Sequence, residues 1–139
     1  MNNSNQPHKS SIGDMQANIM ALLCYLVSSV LVFVPGLMYV AWLAPLVIFF
    51  LEKESRFVKF HAMQAFVLDA VGILLGLLVT LLFGGISYES FAFVGTLVTI
   101  ISITILVFAI YAMLKAYRYV EYSIPFIGKI SAALTSKVS

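Results

Sequence analysis

Asp69 is the one acidic residue inside the long apolar stretches of this chain. It lies eight residues past His61, about 12 Å along a helix at 1.5 Å per residue, which is mid-bilayer depth if the stretch crosses a membrane. An ionised carboxylate there costs at least about 2.5–3.5 kcal/mol, so it must be neutral, paired or in contact with water. Two chemistries fit: a proton or cation relay, or a neutral acid hydrogen-bonded inside a helix bundle. The second is favoured, because no other ionisable residue lies at matching depth. Counted outward from the loop after Phe83, Ser102 and Thr104 fall level with Asp69 and are its expected partners.

A second group of polar residues interrupts the apolar pattern between Leu51 and Phe66. At helical spacing Phe57, His61 and Gln64 share one side, and Lys59 falls on another. Lys53, Arg56 and Lys59 suit lipid phosphates, with the aromatic residues at headgroup level. The sharper reading makes Glu52, Arg56, Phe57, His61 and Gln64 an interaction surface, on which His61 titrates near neutral pH. No metal site is expected, since His8 and His61 have no local ligand partners and Cys24 is the single cysteine. Cys24, inside an apolar run, reads as a small buried apolar side chain. There is no Ser-His-Asp spacing, phosphate-binding loop or dinucleotide signature. Catalytic residues, an enzyme activity and a cofactor are accordingly not expected.

The elements that position these residues follow from hydropathy. Hydrophobic residues make up 62% of the 139 positions and charged residues only 10%, with a mean hydropathy of +1.04. A water-facing shell cannot be built from so few charges, so a lipid bilayer must complete the fold. The net charge of +2 and the absence of a basic-aromatic cluster argue against nucleic acid as a partner. Met15 to Leu51 carries no charge and is broken at Pro35-Gly36, which reads as two short spans, about Gln16 to Val34 and Leu37 to Leu51, with Pro45 kinking the second. A re-entrant first hairpin is the competing reading. A third helix runs from a Ser55 N-cap to about Phe83, and Gly84-Gly85 with Ser87 makes the next turn. A fourth helix runs from about Phe91 to Tyr117.

Small residues mark the expected seam between the last two helices, with Gly72 and Gly76 on one and Gly95 and Thr99 on the other. After Pro125, residues Phe126, Ile127, Ile130 and Leu134 recur at helical spacing, which predicts a short amphipathic helix lying on the membrane. Lys and Arg occur only in the N-terminal segment, the middle connection and the C-terminal segment. The positive-inside rule then gives an all-α membrane bundle of four transmembrane helices in two hairpins, with both termini cytoplasmic in the cell membrane. Residues 1–14 read as a flexible polar tail, 15–118 as the transmembrane domain, and 119–139 as the interfacial helix and tail.

The stretch from Phe50 to Gln64, with Glu52-Lys53-Glu54-Ser55-Arg56-Phe57 and His61-Ala62-Met63-Gln64 at its centre, resembles a motif of small four-helix membrane proteins of bacteria and archaea. The opening Ala17 to Tyr25 and the closing Tyr122-Ser123-Ile124-Pro125-Phe126-Ile127-Gly128 also fit. That family is of unknown function, and it is distantly similar to the twenty-kilodalton subunit of the chloroplast inner-envelope protein import translocon (Tic). The resemblance implies four spans with termini inside, and a link to moving polypeptides across a membrane. Asp69 lies outside the pattern. The favoured function is an accessory or scaffold component of a membrane complex, working with a membrane-protein partner or a second copy of itself. A small oligomeric transporter or proton-coupled channel using Asp69 is the alternative, and a membrane stress or bacteriocin-immunity protein a further one.

Overall fold

In the computed structural model, residues 3–84 and 87–138 are described, so Gly85 of the expected turn lies outside the described residues. Among the described residues the regular structure is helical apart from one very short strand pair. Strand β1 (Asn3–Ser4) is followed by α1 (Ala17–Leu31), a single 3-10 turn (Ala41–Leu43), α2 (Ala44–Leu51), α3 (Arg56–Phe83), α4 (Tyr88–Tyr117), β2 (Val120–Glu121) and α5 (Ile127–Val138). Among the described residues two helices, α3 and α4, are long and apolar enough to cross a membrane. At 28 and 30 residues they are about 42 and 45 Å long.

Local chemistry sets the helix ends. The Ser55 hydroxyl accepts the Val58 N–H at 3.2 Å and starts α3, as the sequence predicts. Ser87 does the same for α4 by accepting the Ser90 N–H at 3.2 Å, so α4 begins three residues earlier than expected. The first hairpin is shorter than its apolar run. α1 ends at Leu31, and turn-type bonds carry the coil on through Phe33 and Val34. Pro45 does not kink the second helix: it sits in the first turn of α2, where a missing N–H leaves no carbonyl unpaired. Beyond α4, Tyr119 takes a left-handed conformation (φ 58°) and its N–H returns to the Ala116 carbonyl, which closes the helix.

The core gathers at one end of the bundle. Tyr25, Phe57, Met63, Leu68 and Ile124 are fully buried there, where α1, α3, the end of α4 and the start of α5 meet. Residues 1–14 are expected as a flexible tail, but residues 3–11 are docked on this end. β1 pairs antiparallel with β2, Asn5 N–H bonds to the Tyr119 carbonyl at 2.7 Å, and Ser10 is buried. The reason is polar: these residues supply hydrogen-bond donors that the buried Glu52 needs.

The tail helix also departs from expectation. α5 packs on α3 through Ile127, Gly128, Ser131 and Leu134, while Phe126 and Ile130 point away from the protein. Gly128 is closely packed where the chain enters α5, because a Cβ there would collide with the Ser123 hydroxyl.

Candidate functional site

Three polar side chains organise the packed end. Glu52 follows the last residue of α2 and is 1% exposed. Its Oε1 accepts from the Ser11 N–H (3.1 Å) and hydroxyl (2.6 Å) and from the Glu54 and Ser55 N–H groups (both 3.0 Å). Its Oε2 accepts from the Ser10 hydroxyl. Burial pushes the Glu52 carboxyl up, but donors from Ser10, Ser11 and Ser55 outweigh it and hold the pKa down at about 2. The N-terminal end of α3, with its unpaired N–H groups, lies beside the carboxylate and favours its charge.

Gln64 is the second. Its amide nitrogen donates to the Tyr25 hydroxyl and to the Tyr122 carbonyl, both at 2.9 Å, and its oxygen accepts the Ile124 N–H at 3.0 Å. One fully buried amide thus joins α1, α3 and the segment leading into α5. His61 is the third: its Nδ1 is 3.1 Å from the Tyr25 hydroxyl, and Phe57 and Phe60 meet its ring edge-on. Its Nε2 has no hydrogen-bond partner among the described residues. His8 reaches in from the N-terminal segment, with Nε2 2.8 Å from the Ser55 hydroxyl and its ring edge-on to Phe57.

The residues expected to form an outward interaction surface therefore face inward. Glu52, Phe57, His61 and Gln64 are buried, and of the five only Arg56 is exposed. Helical spacing showed that Phe57, His61 and Gln64 share a side. It could not show that the N-terminal segment and the tail cover that side. Sequence reasoning gave no role to Ser10 or Ser11, and took in Tyr25 only as the end of the opening stretch. The available signal was the polar stripe Asn18, Tyr25 and Ser28 along the first apolar run, all three of which are buried.

Asp69 lies more than a turn further along α3, on the wall of an open cleft also lined by Ser28, Trp42, Gly76, Ser102 and Ile105. Its expected partners do not reach it. The Ser102 and Thr104 hydroxyls donate back to the Val98 and Ile100 carbonyls of their own helix, both at 2.9 Å. Gly72 packs against Ile105, so Asp69 sits about a turn lower against α4 than the loop count implied. The side chain that interacts with Asp69 is Ser28 of α1. The expected small-residue seam is also only half made: Gly72 is in contact across it, whereas nothing lies within 4 Å of a Cβ built at Gly76 or Gly95. Thr99 is exposed and bonds the Gly95 carbonyl at 2.7 Å. Among the described residues no three His, Cys, Asp or Glu side chains gather to hold a metal ion.

The sequence that forms this helical bundle matches a known family. Residues 16–131 fit the family described as the magnetosome magnetite crystal formation protein family, MamF/MmsF. The chain belongs to this family. It is also 31% identical over 128 residues to the UPF0132 membrane protein MJ1443 of Methanocaldococcus jannaschii, covering 88% of this chain and 91% of the relative. A second protein of that organism, the UPF0132 membrane protein MJ1527, is 28% identical over 117 residues, covering 84% of this chain and 69% of the relative. Both relatives are membrane proteins by name, and neither name leads to the plastid import subunit. No solved structure matches the chain. The match from Gln16 onward takes in all four inward-facing motif residues, Glu52, Phe57, His61 and Gln64, and a membrane setting for α3 and α4 agrees with their exposed apolar surfaces.

Proposed function

We propose that this member of the family is a non-enzymatic scaffold that assembles, through α4, with a second copy of itself or another membrane protein. The supporting observation is a face of small residues that the chain does not pack. Ala92, Gly95, Thr96 and Thr99 are exposed, and Gly95 has open space where a Cβ would be. Such faces let membrane helices approach closely in a solvent that offers no hydrophobic drive between them. Part of the family's described role, magnetite crystal formation, would then reach this chain through what it assembles rather than through catalysis.

The reading includes topology. α3 and α4 cross the bilayer, and the first hairpin crosses beside them as a shorter pair, giving four passes with both termini and the Glu52 connection cytoplasmic. The Lys and Arg distribution supports it, as does the docking of the N-terminal segment, the middle connection and β2 on one end. A hairpin this short is accommodated by local thinning of the bilayer.

A photo-crosslinking residue at Phe91, in the native membrane, tests the assembly. Capture of a second copy or of one discrete membrane protein, lost on Gly95→Leu, supports the scaffold reading; capture of lipid alone refutes it. Labelling Leu37→Cys with a membrane-impermeant maleimide tests the topology. Reaction from outside intact cells supports four passes, and protection from both sides makes the first hairpin re-entrant.

A further inference from the structure

The cleft beside Asp69 has a volume of about 640 Å³, within the range of small-molecule sites. Its walls are mostly apolar and come from α1, the turn at Trp42, α3 and α4. The polar groups on those walls share one property. Ser29 gives its hydroxyl hydrogen to the Tyr25 carbonyl, Thr80 gives its to Gly76, Ser102 gives its to Val98, and Ser28 has the Tyr25 carbonyl and Asp69 as the two acceptors for its one hydrogen. A hydroxyl has one hydrogen and two lone pairs, so all four are left with accepting capacity only. Asp69 Oδ2 is itself buried and has no hydrogen-bond partner among the described residues. The cleft therefore offers acceptors and a carboxylate without a single free side-chain donor among the four hydroxyls.

What such a site lacks is positive charge carrying N–H groups. We propose that the cleft binds an apolar amine in its protonated form, with the ammonium on Asp69 and the hydrocarbon along α3 and α4. A fatty carboxylate is repelled by Asp69. A fatty alcohol brings one donor and no charge. A lipid acyl chain fills the space but leaves Asp69 Oδ2 without a partner. The space is real at its centre, because a Cβ at Gly76 would touch nothing within 4 Å.

Trp42 is the single tryptophan, lines the cleft, and stacks on Phe66 with ring centroids 5.6 Å apart, so its emission reports occupancy. The experiment titrates dodecylamine at pH 7 into the full chain in phosphatidylcholine nanodiscs and follows Trp42 fluorescence. A saturable change is expected, with dodecanol and dodecanoate at least tenfold weaker at equal mole fraction. Asp69→Asn should weaken dodecylamine at least tenfold. Gly76→Leu should abolish the response by filling the cleft, with helix content by circular dichroism unchanged. Equal responses to dodecylamine and dodecanol would overturn the proposal, as would full binding by either variant. Should Asp69→Asn fail to fold, the amine-to-alcohol comparison and Gly76→Leu decide the matter.

Discussion

The two halves of α3 are built for different solvents. From Arg56 to Leu68 the helix is enclosed by protein: Phe57, Val58, His61, Ala62, Met63, Gln64, Ala65, Val67 and Leu68 are all buried. From Ile73 to Phe83 no residue is buried, and Leu81 is 81% exposed. The first half is held by directional bonds to elements distant in sequence, such as those of Gln64 to Tyr25, Tyr122 and Ile124. The second half makes a helix that needs no protein neighbour, because in lipid the backbone satisfies itself and leucine is as well solvated as in a core. Stability and specificity are thus concentrated at one end, and the other end is left free to meet lipid or a partner.

Substitutions should separate the halves. Gln64→Leu leaves the buried Ile124 N–H without a partner, at about 1–3 kcal/mol, and removes the bond to the half-buried Tyr122 carbonyl as well. The largest loss of thermal stability in detergent is expected there. Glu52→Gln should cost about 1.5–3 kcal/mol, the range for hydrogen bonds to a charged group. The same residue gives a pH dependence. Its folded pKa of about 2 lies below the ordinary 4.5, so its contribution is present above pH 4.5 and is lost as pH falls toward 2. The Glu52→Gln variant should lose that part of the acid sensitivity, which melting curves across this range would show. Gly128→Ala comes next, at about 1–3 kcal/mol, since the new methyl must displace Ser123. Leu81→Ala, in the bare half, should change stability by no more than about 0.5 kcal/mol. A large loss at Leu81, or a negligible one at Gln64, would erase the distinction between the halves.

The parts of this organisation that were legible in the sequence are those set locally. The Ser55 cap, the end of α3 at Phe83 and the end of α4 at Tyr117 follow from nearby residues, and the structure has them where the pattern put them. The motif residues Glu52, Phe57, His61 and Gln64 were visible as a group, but their direction was not. What turns them inward is contributed by Ser10, Ser11, Tyr25 and Ile124, each tens of residues away. Asp69 was misassigned for a similar reason. The loop count compared α3 with α4 alone, and hydroxyls in apolar helices tend to bond their own backbone, as Ser102 and Thr104 do. The nearby hydroxyl came from α1, a helix the count did not include.

The pairing of β1 with β2 also sets an order of events. Asn5 bonds Tyr119, which lies 114 positions later, and its side chain reaches Glu121 at 3.1 Å. At about 5–20 residues per second of synthesis, the N-terminal segment waits roughly 6–23 s for its strand partner to be made. Glu52 can gather Ser10 and Ser11 well before then, but the β1 staple closes only after α4 is complete. The beginning of the chain is therefore among the last parts to settle, and it acts as a latch on a bundle already in the bilayer.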